Sequence, residues 1–174
     1  MKFINPQNVV SQMGLKTGQT VADLGSGAGF FALAAAKLVG NTGKVFAVDV
    51  QQSKLTATFS AASQQGFKNI HLVQADLDQP ISAIPDASCD AVIMASILHE
   101  MKDRKMLFAN MYRILKTGGV VLTAEWKVAH TIFGPPLEKR IPEDQLEQEL
   151  AQTGLHKVKS IPADMAHYAL LFQK

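Results

Sequence analysis

Three stretches of the chain carry residues whose types and spacing suit joint chemistry. In VADLGSGAGF, Asp23 precedes Gly25, Gly27 and Gly29; in VFAVDV, Asp49 closes an apolar run; in VQAD, Asp76 closes another. Glycine admits backbone angles closed to other residues and lets a ligand approach bare backbone. A helix opening after the last glycine offers free N–H groups and a positive dipole end. The spacing is G-x-G-x-G, not the G-x-G-x-x-G that cradles a pyrophosphate. Asp23 also puts a negative charge where a pyrophosphate would be repelled. The pair suits a ligand with a cationic group such as an ammonium. Asp49, about twenty residues on, is spaced to accept from two ribose hydroxyls. Asp76 is placed to accept from the amine of an adenine. Each also has a plainer use: Asp23 in an ordinary strand-to-helix turn, Asp49 as a strand end, Asp76 as a cap.

A second group follows the fourth and fifth apolar runs. CDAVIMASILHEM carries Ser96, His99 and Glu100, and VVLTAEW ends on Glu125 and Trp126. Histidine is the side chain whose unperturbed pKa lies nearest neutrality, so His99 is of a type that suits a general base; packing beside a ligand or capping the next helix is the alternative. Ser96 lines a pocket, Glu100 starts a helix, and Trp126 either flanks a substrate or packs. HTIFGPPLEKRI holds Arg140, which would recognise an anion or pair with Glu138 as scaffold. HEMKD is not H-E-x-x-H, because position 103 is Asp. Asp90 opens its strand at the wrong end, so no metal site is expected.

The elements that must position these residues alternate. Asn5-Pro6 suits a helix start, and a short helix runs to Met13 before Gly14. Apolar strands TVADLG, KVFAVDV, NIHLVQAD, CDAVIMAS and VVLTAEW are separated by helical patterns over Phe30 to Val39, QQSKLTATFSAASQQGF and DRKMLFANMYRILKTGG. The segment QPISAIPDASC reads as loop. In the last of these helices, Met106, Leu107, Met111, Ile114 and Leu115 fall near one face, and Gly118-Gly119 stop it. PEDQLEQELAQTG is a further helix, and HKVKSIPA and HYALLFQK are two final strands. Alternation implies a parallel sheet covered on both faces. Two strands joined without a helix imply one antiparallel insertion.

VADLGSGAGFFALAAAKLVG, GKVFAVDV, VQADLDQ, CDAVIMASILHEM and RILKTGGVVLTAEW, in that order, resemble the class I S-adenosylmethionine-dependent methyltransferases. The likeness spans about Thr17 to Trp126. The GPP…R segment after EW is similar to small members near the quinone-biosynthesis branch. The resemblance implies a three-layer α/β fold, a doubly wound Rossmann-like sheet of seven strands in order 3-2-1-4-5-7-6, strand 7 antiparallel. It implies that Asp23, Gly25, Ser26, Gly27 and Gly29 surround the methionine part of S-adenosylmethionine. Asp49 and Val50 would then meet the ribose, Asp76 and Leu77 frame the adenine, and Ala95 line the cofactor. His99 is the candidate catalytic residue, with Ser96, Trp126 and Arg140 toward the substrate.

The 174 residues are 47% hydrophobic and 18% charged, with net charge +2, a composition for one globular domain over 1–174. Within it, 1–16 form a short helical arm and 127–141 an acceptor-side loop. Added segments are short, which points to a small-molecule acceptor. Lys102, Arg104, Lys105, Arg113 and Lys116 read as a solvated face, so no nucleic-acid partner is expected. No apolar run reaches the ~20 residues of a membrane span, and one cysteine, Cys89, makes no disulfide framework. A cytoplasmic monomer or homodimer is expected. Two other readings stay open: a module that binds S-adenosylmethionine or S-adenosylhomocysteine without turnover, and a nicotinamide-dependent reductase. The G-x-G-x-G spacing and the preceding Asp23 count against the reductase.

Overall fold

The computed structural model describes residues 4–174. Its strands are β1 (Thr20–Leu24), β2 (Lys44–Asp49), β3 (Ile70–Gln74), β4 (Cys89–Ala95), β5 (Leu115–Trp126), β6 (His156–Ile161) and β7 (His167–Gln173). Its α-helices are α1 (Pro6–Val10), α2 (Phe30–Val39), α3 (Gln52–Gln64), α4 (Lys105–Ile114) and α5 (Glu143–Ala151). The strands form one sheet in the order β3-β2-β1-β4-β5-β7-β6. β7 runs antiparallel to both neighbours, and the other pairings are parallel. The expected fold class and strand order are those observed.

Period-two alternation assigns each strand residue to one face. Val21, Val45, Ala47, Ala91, Ile93, Leu122 and Ala124 bury against α1 and α2. Ala22, Leu24, Val48, Val92, Met94, Val121 and Leu170 bury against α4 and α5. α2 presents Ala32, Ala34, Ala35 and Ala36, small residues that let helix and sheet approach closely. α1 starts as the sequence suggests: Asn5 Oδ1 accepts the Asn8 N–H at 3.2 Å, and a 3-10 turn over Ser11–Met13 ends at left-handed Gly14.

Two details depart from the sequence reading. The helix expected over DRKMLFANMYRILKTGG ends at Ile114, because Leu115 already pairs with Cys89 at the start of β5; residues 116–119 bulge before pairing resumes at Val120. Met106, expected on the buried face, is largely outside it; Leu107, Phe108, Asn110, Met111 and Ile114 fill that face. Buried Asn110 has a specific use. Its Oδ1 accepts the Ile81 N–H at 3.0 Å, and its Nδ2 donates to Gln79 O at 2.8 Å. Arg113 donates to Ile81 O and Ile84 O from the next turn of α4. These two side chains pin the helix-free crossing between β3 and β4, which otherwise would leave buried backbone groups unpaired.

Candidate functional site

The carboxyl ends of β1, β2 and β4 meet at the glycine turn. Gly25 and Ser26 both donate their N–H groups to Val48 O at 2.9 Å, which lays the turn against β2. Asp49 then reaches back: its Oδ2 accepts the Gly27 N–H at 2.9 Å and its Oδ1 accepts the Gln51 N–H at 2.8 Å. From α3, fully buried Thr58 donates its hydroxyl to Gly27 O at 3.1 Å and packs where a side chain on Gly29 would stand. Gly27 (φ +53) differs from its neighbours, because nothing lies within 4 Å of the position its Cβ would take. It is the open floor of the crevice. Gly25 (φ +78) is closed by protein instead: a Cβ there would stand 2.5 Å from Ile97 Cγ1.

Asp23 is 1% exposed, and its Oδ2 has no hydrogen-bond partner. Burial pushes its carboxyl up to about 7; the Ala32 N–H at the start of α2 opposes this, and the charge of Asp49 adds to it. Ser26 Oγ is buried without a partner beside the same turn. An orphaned carboxylate oxygen is expensive in isolation and satisfied by a cationic donor. Asp76 is exposed; its Oδ1 accepts the Asp78 N–H at 2.9 Å, while Leu77 behind it is buried. Val50 is 56% exposed and Ala95 buried, both at strand ends of this edge.

The second half of the site hangs from β4 and β5. Ser96 adopts φ +55, an unusual angle for a residue with a side chain, and donates its N–H to Ala124 O at 2.8 Å. That turn sends Ile97 onto Gly25 and brings the next residues over Glu125. Glu125 is fully buried; its Oε1 accepts the Leu98 N–H at 2.8 Å, and its Oε2 lies 2.8 Å from His99 Nδ1. The sequence reading missed this role for Glu125. The signal was there: an ionisable residue inside the apolar run VVLTAEW, one place beyond a strand neighbour of Ala95. Thr58 and Ile97 were also missed, for lack of any local pattern.

Trp126 and Arg140 are drawn to each other. The Arg140 guanidinium sits 5.3 Å from the Trp126 ring centroid, and the His167 ring lies 4.0 Å from it on the sheet side of the loop. Arg140 donates from Nε to Pro135 O, from Nη1 to Lys127 O and Ala129 O, and from Nη2 to Thr131 Oγ1 and Phe133 O. A guanidinium has five N–H groups, and all are used. Of the two alternatives for Arg140, anion recognition and a scaffold role, these bonds favour the scaffold: Arg140 is the hub of the loop over residues 127–140. Its expected pairing with Glu138 is replaced by these carbonyls. Among the described residues no group of three or more His, Cys, Asp or Glu side chains is arranged to hold a metal ion, and no helix is long and apolar enough to cross a membrane. Four of the five basic residues of α4 and its flanks are in ion pairs: Arg104 with Glu149, Arg113 with Asp86, Lys116 with Asp90 and Lys105 with Asp103.

A family model described as a methyltransferase domain matches residues 15–167. The chain belongs to that family. Among curated proteins it is similar to the ubiquinone/menaquinone biosynthesis C-methyltransferase UbiE of a Marinomonas species, 31% identical over 121 residues, which is 69% of this chain and 47% of the relative. The chain thus spans about half the length of the curated relatives it matches. Among solved structures, a SAM-dependent methyltransferase from Aquifex aeolicus is 27% identical with a TM-score of 0.89, covering 98% of this chain and 90% of that one. A phosphoethanolamine N-methyltransferase 2 from Haemonchus contortus in complex with S-adenosyl-L-methionine shares the fold at 23% identity and a TM-score of 0.72, covering 89% of this chain and 37% of that one.

S-adenosylmethionine is the cofactor of this class I methyltransferase family, and the residues present fit it. The orphaned Asp23 oxygen suits its ammonium, Gly27 leaves bare backbone for close approach, and Asp49 retains acceptor capacity for ribose hydroxyls.

Proposed function

We propose that this chain transfers a methyl group from S-adenosylmethionine to a small-molecule acceptor, with His99 taking the acceptor's proton. The cofactor supplies an activated methyl group on a sulfonium; the protein positions, desolvates and deprotonates. Asp23, the Gly25–Gly29 turn, Asp49, Val50, Asp76, Leu77 and Ala95 form the cofactor side. Ser96 and His99 form the acceptor side; the acceptor's proton would go to His99 Nε2 as the acceptor bonds the methyl carbon, the methyl–sulfur bond breaks with its electron pair left on sulfur, and S-adenosylhomocysteine leaves.

The observation that carries this reading is the join between the two halves. Ile97 packs on Gly25, and His99, two residues on, is held by buried Glu125. A base on a segment seated on the cofactor turn is positioned relative to the methyl group, which is what an in-line transfer needs. A mainly apolar cavity of about 930 Å³, lined by Ala129, Ile132, Ala163 and Met165 among others, lies between the loop after β5 and the β6–β7 turn. The paired basic residues of α4 support an acceptor other than nucleic acid. One domain over the chain, a cytoplasmic setting and a monomer or homodimer accord with this reading.

The test is incubation of the purified protein with methyl-labelled S-adenosylmethionine and a panel of small oxygen, nitrogen, carbon and sulfur nucleophiles. Label in a small product supports the proposal. Cofactor binding with label transferred only to added protein or RNA overturns it.

A further inference from the structure

We infer that Glu125 is a positioning residue that fixes the tautomer of His99, with the Leu98 N–H as the group that sets its orientation. The inference rests on His99 being the base proposed above and adds what makes it one. Two groups face the Glu125 carboxylate, the Leu98 N–H at Oε1 and His99 Nδ1 at Oε2, each at 2.8 Å. The backbone N–H can only donate. The positive charge of Arg104, held by Glu149, also bears on Glu125. A carboxylate facing such donors accepts from both, so His99 carries its proton on Nδ1. Nε2, on the opposite side of the ring, is left bare. It lies 4.0 Å from the exposed Glu100 carboxylate, beyond hydrogen-bond reach, and stays available to accept a proton.

The same geometry makes an isosteric substitution decisive. In Glu125→Gln the Leu98 N–H still requires an acceptor, so the amide oxygen takes the Oε1 place. The NH2 group then faces His99 Nδ1 and donates to it. The ring proton moves to Nε2, and the only nitrogen facing away from Glu125 becomes a donor. Shape, packing and the Leu98 bond are kept, while the base is turned into a non-base. The acceptor class this serves is one whose reacting group carries a weakly acidic O–H or N–H.

The experiment is ¹⁵N-histidine NMR on the full chain, at a pH where His99 is neutral, with His99→Gln used to assign its ring signals among the five histidines. In the wild-type protein the expected state is protonated Nδ1 and bare Nε2; in Glu125→Gln the two exchange. Calorimetry with S-adenosylmethionine on both proteins separates this inference from the function itself: cofactor affinity within about twofold is expected in the variant. A wild-type ring already protonated at Nε2, or a tautomer unchanged in Glu125→Gln, overturns the inference while leaving the cofactor reading intact. Failure of both proteins to bind S-adenosylmethionine overturns the function on which it rests.

Discussion

The Gly27 N–H donates to Asp49 Oδ2 at 2.9 Å, so the carboxylate that ends β2 also holds the turn that follows β1. Asp49 thereby serves fold and ligand at once. Asp49→Ala is expected to weaken S-adenosylmethionine binding by roughly 1.5–3 kcal/mol, the scale of hydrogen bonds to a charged group. It should also lower the melting temperature of the free protein, because the Gly27 and Gln51 N–H groups lose their acceptor. Calorimetry and thermal unfolding of the variant read the two effects. Unchanged affinity would remove Asp49 from the cofactor side.

Asp23 gives a pH dependence whose sign is fixed by its burial. Its carboxyl rises from 3.8 to about 7 in the folded protein. Between those values the native state holds a proton that the unfolded chain has released, so raising pH through this window favours unfolding. The loss is on the order of 4 kcal/mol at most. Asp90, Glu149 and Asp164 are lowered and act in the opposite sense at acid pH. The clean reading is the difference between wild type and Asp23→Asn: the variant should lose less stability from pH 5 to pH 8. The cofactor ammonium selects the ionised carboxylate, so wild-type binding near pH 6 should release a proton, seen as a dependence of the binding enthalpy on the buffer's ionisation heat. Absence of proton release would separate Asp23 from the ammonium.

Gly25 and Gly27 should respond differently to the same change. A methyl on Gly25 meets Ile97 at 2.5 Å, whereas a methyl on Gly27 meets nothing. Gly25→Ala combines a clash with a left-handed backbone and should reduce fold stability by several kcal/mol. Gly27→Ala carries only the backbone cost of ~1–2 kcal/mol. Gly27→Val should stay folded and fail to bind S-adenosylmethionine. Normal binding by Gly27→Val would contradict the open floor of the crevice.

Arg140→Ala should loosen the loop after β5 without touching the cofactor. Four carbonyls and the Thr131 hydroxyl lose a partner, for an expected loss of about 2–4 kcal/mol in thermal or denaturant unfolding. Trp126 is the single tryptophan, so its emission should shift to longer wavelength as the stack opens. Arg140→Lys should not restore it, because an ammonium lacks the planar fork. Equal emission in wild type and Arg140→Ala would rule out the scaffold role.

What was legible in the sequence was local or periodic. Strand ends were marked by Asp23, Asp49 and the glycines that follow apolar runs, and the α2 span from Phe30 to Val39 was bounded by Gly29 and Gly40. What was hidden depends on register between distant segments. Glu125 meets His99 only because Ala95 pairs with Ala124 across β4 and β5, which sets two side chains 26 residues apart against each other. Asn110 pins Ile81 from 29 residues away, and nothing near Asn110 in the chain marks it as buried. The end of α4 was misjudged because Leu115 fits both an apolar helix face and a strand. Only pairing with Cys89 decides it. For Arg140 the sequence left anion recognition and a scaffold role open, because its partners are four backbone carbonyls and the Thr131 hydroxyl rather than Glu138, and backbone carbonyls carry no sequence signal.

The most direct measurement is a parallel calorimetric titration of the protein with S-adenosylmethionine, S-adenosylhomocysteine and NADH. Binding of the first two and none of the third is the expected result, since Asp23 offers a carboxylate to an ammonium and repels a pyrophosphate. Binding of NADH alone would contradict the assignment of the crevice built by Asp23, Gly27 and Asp49.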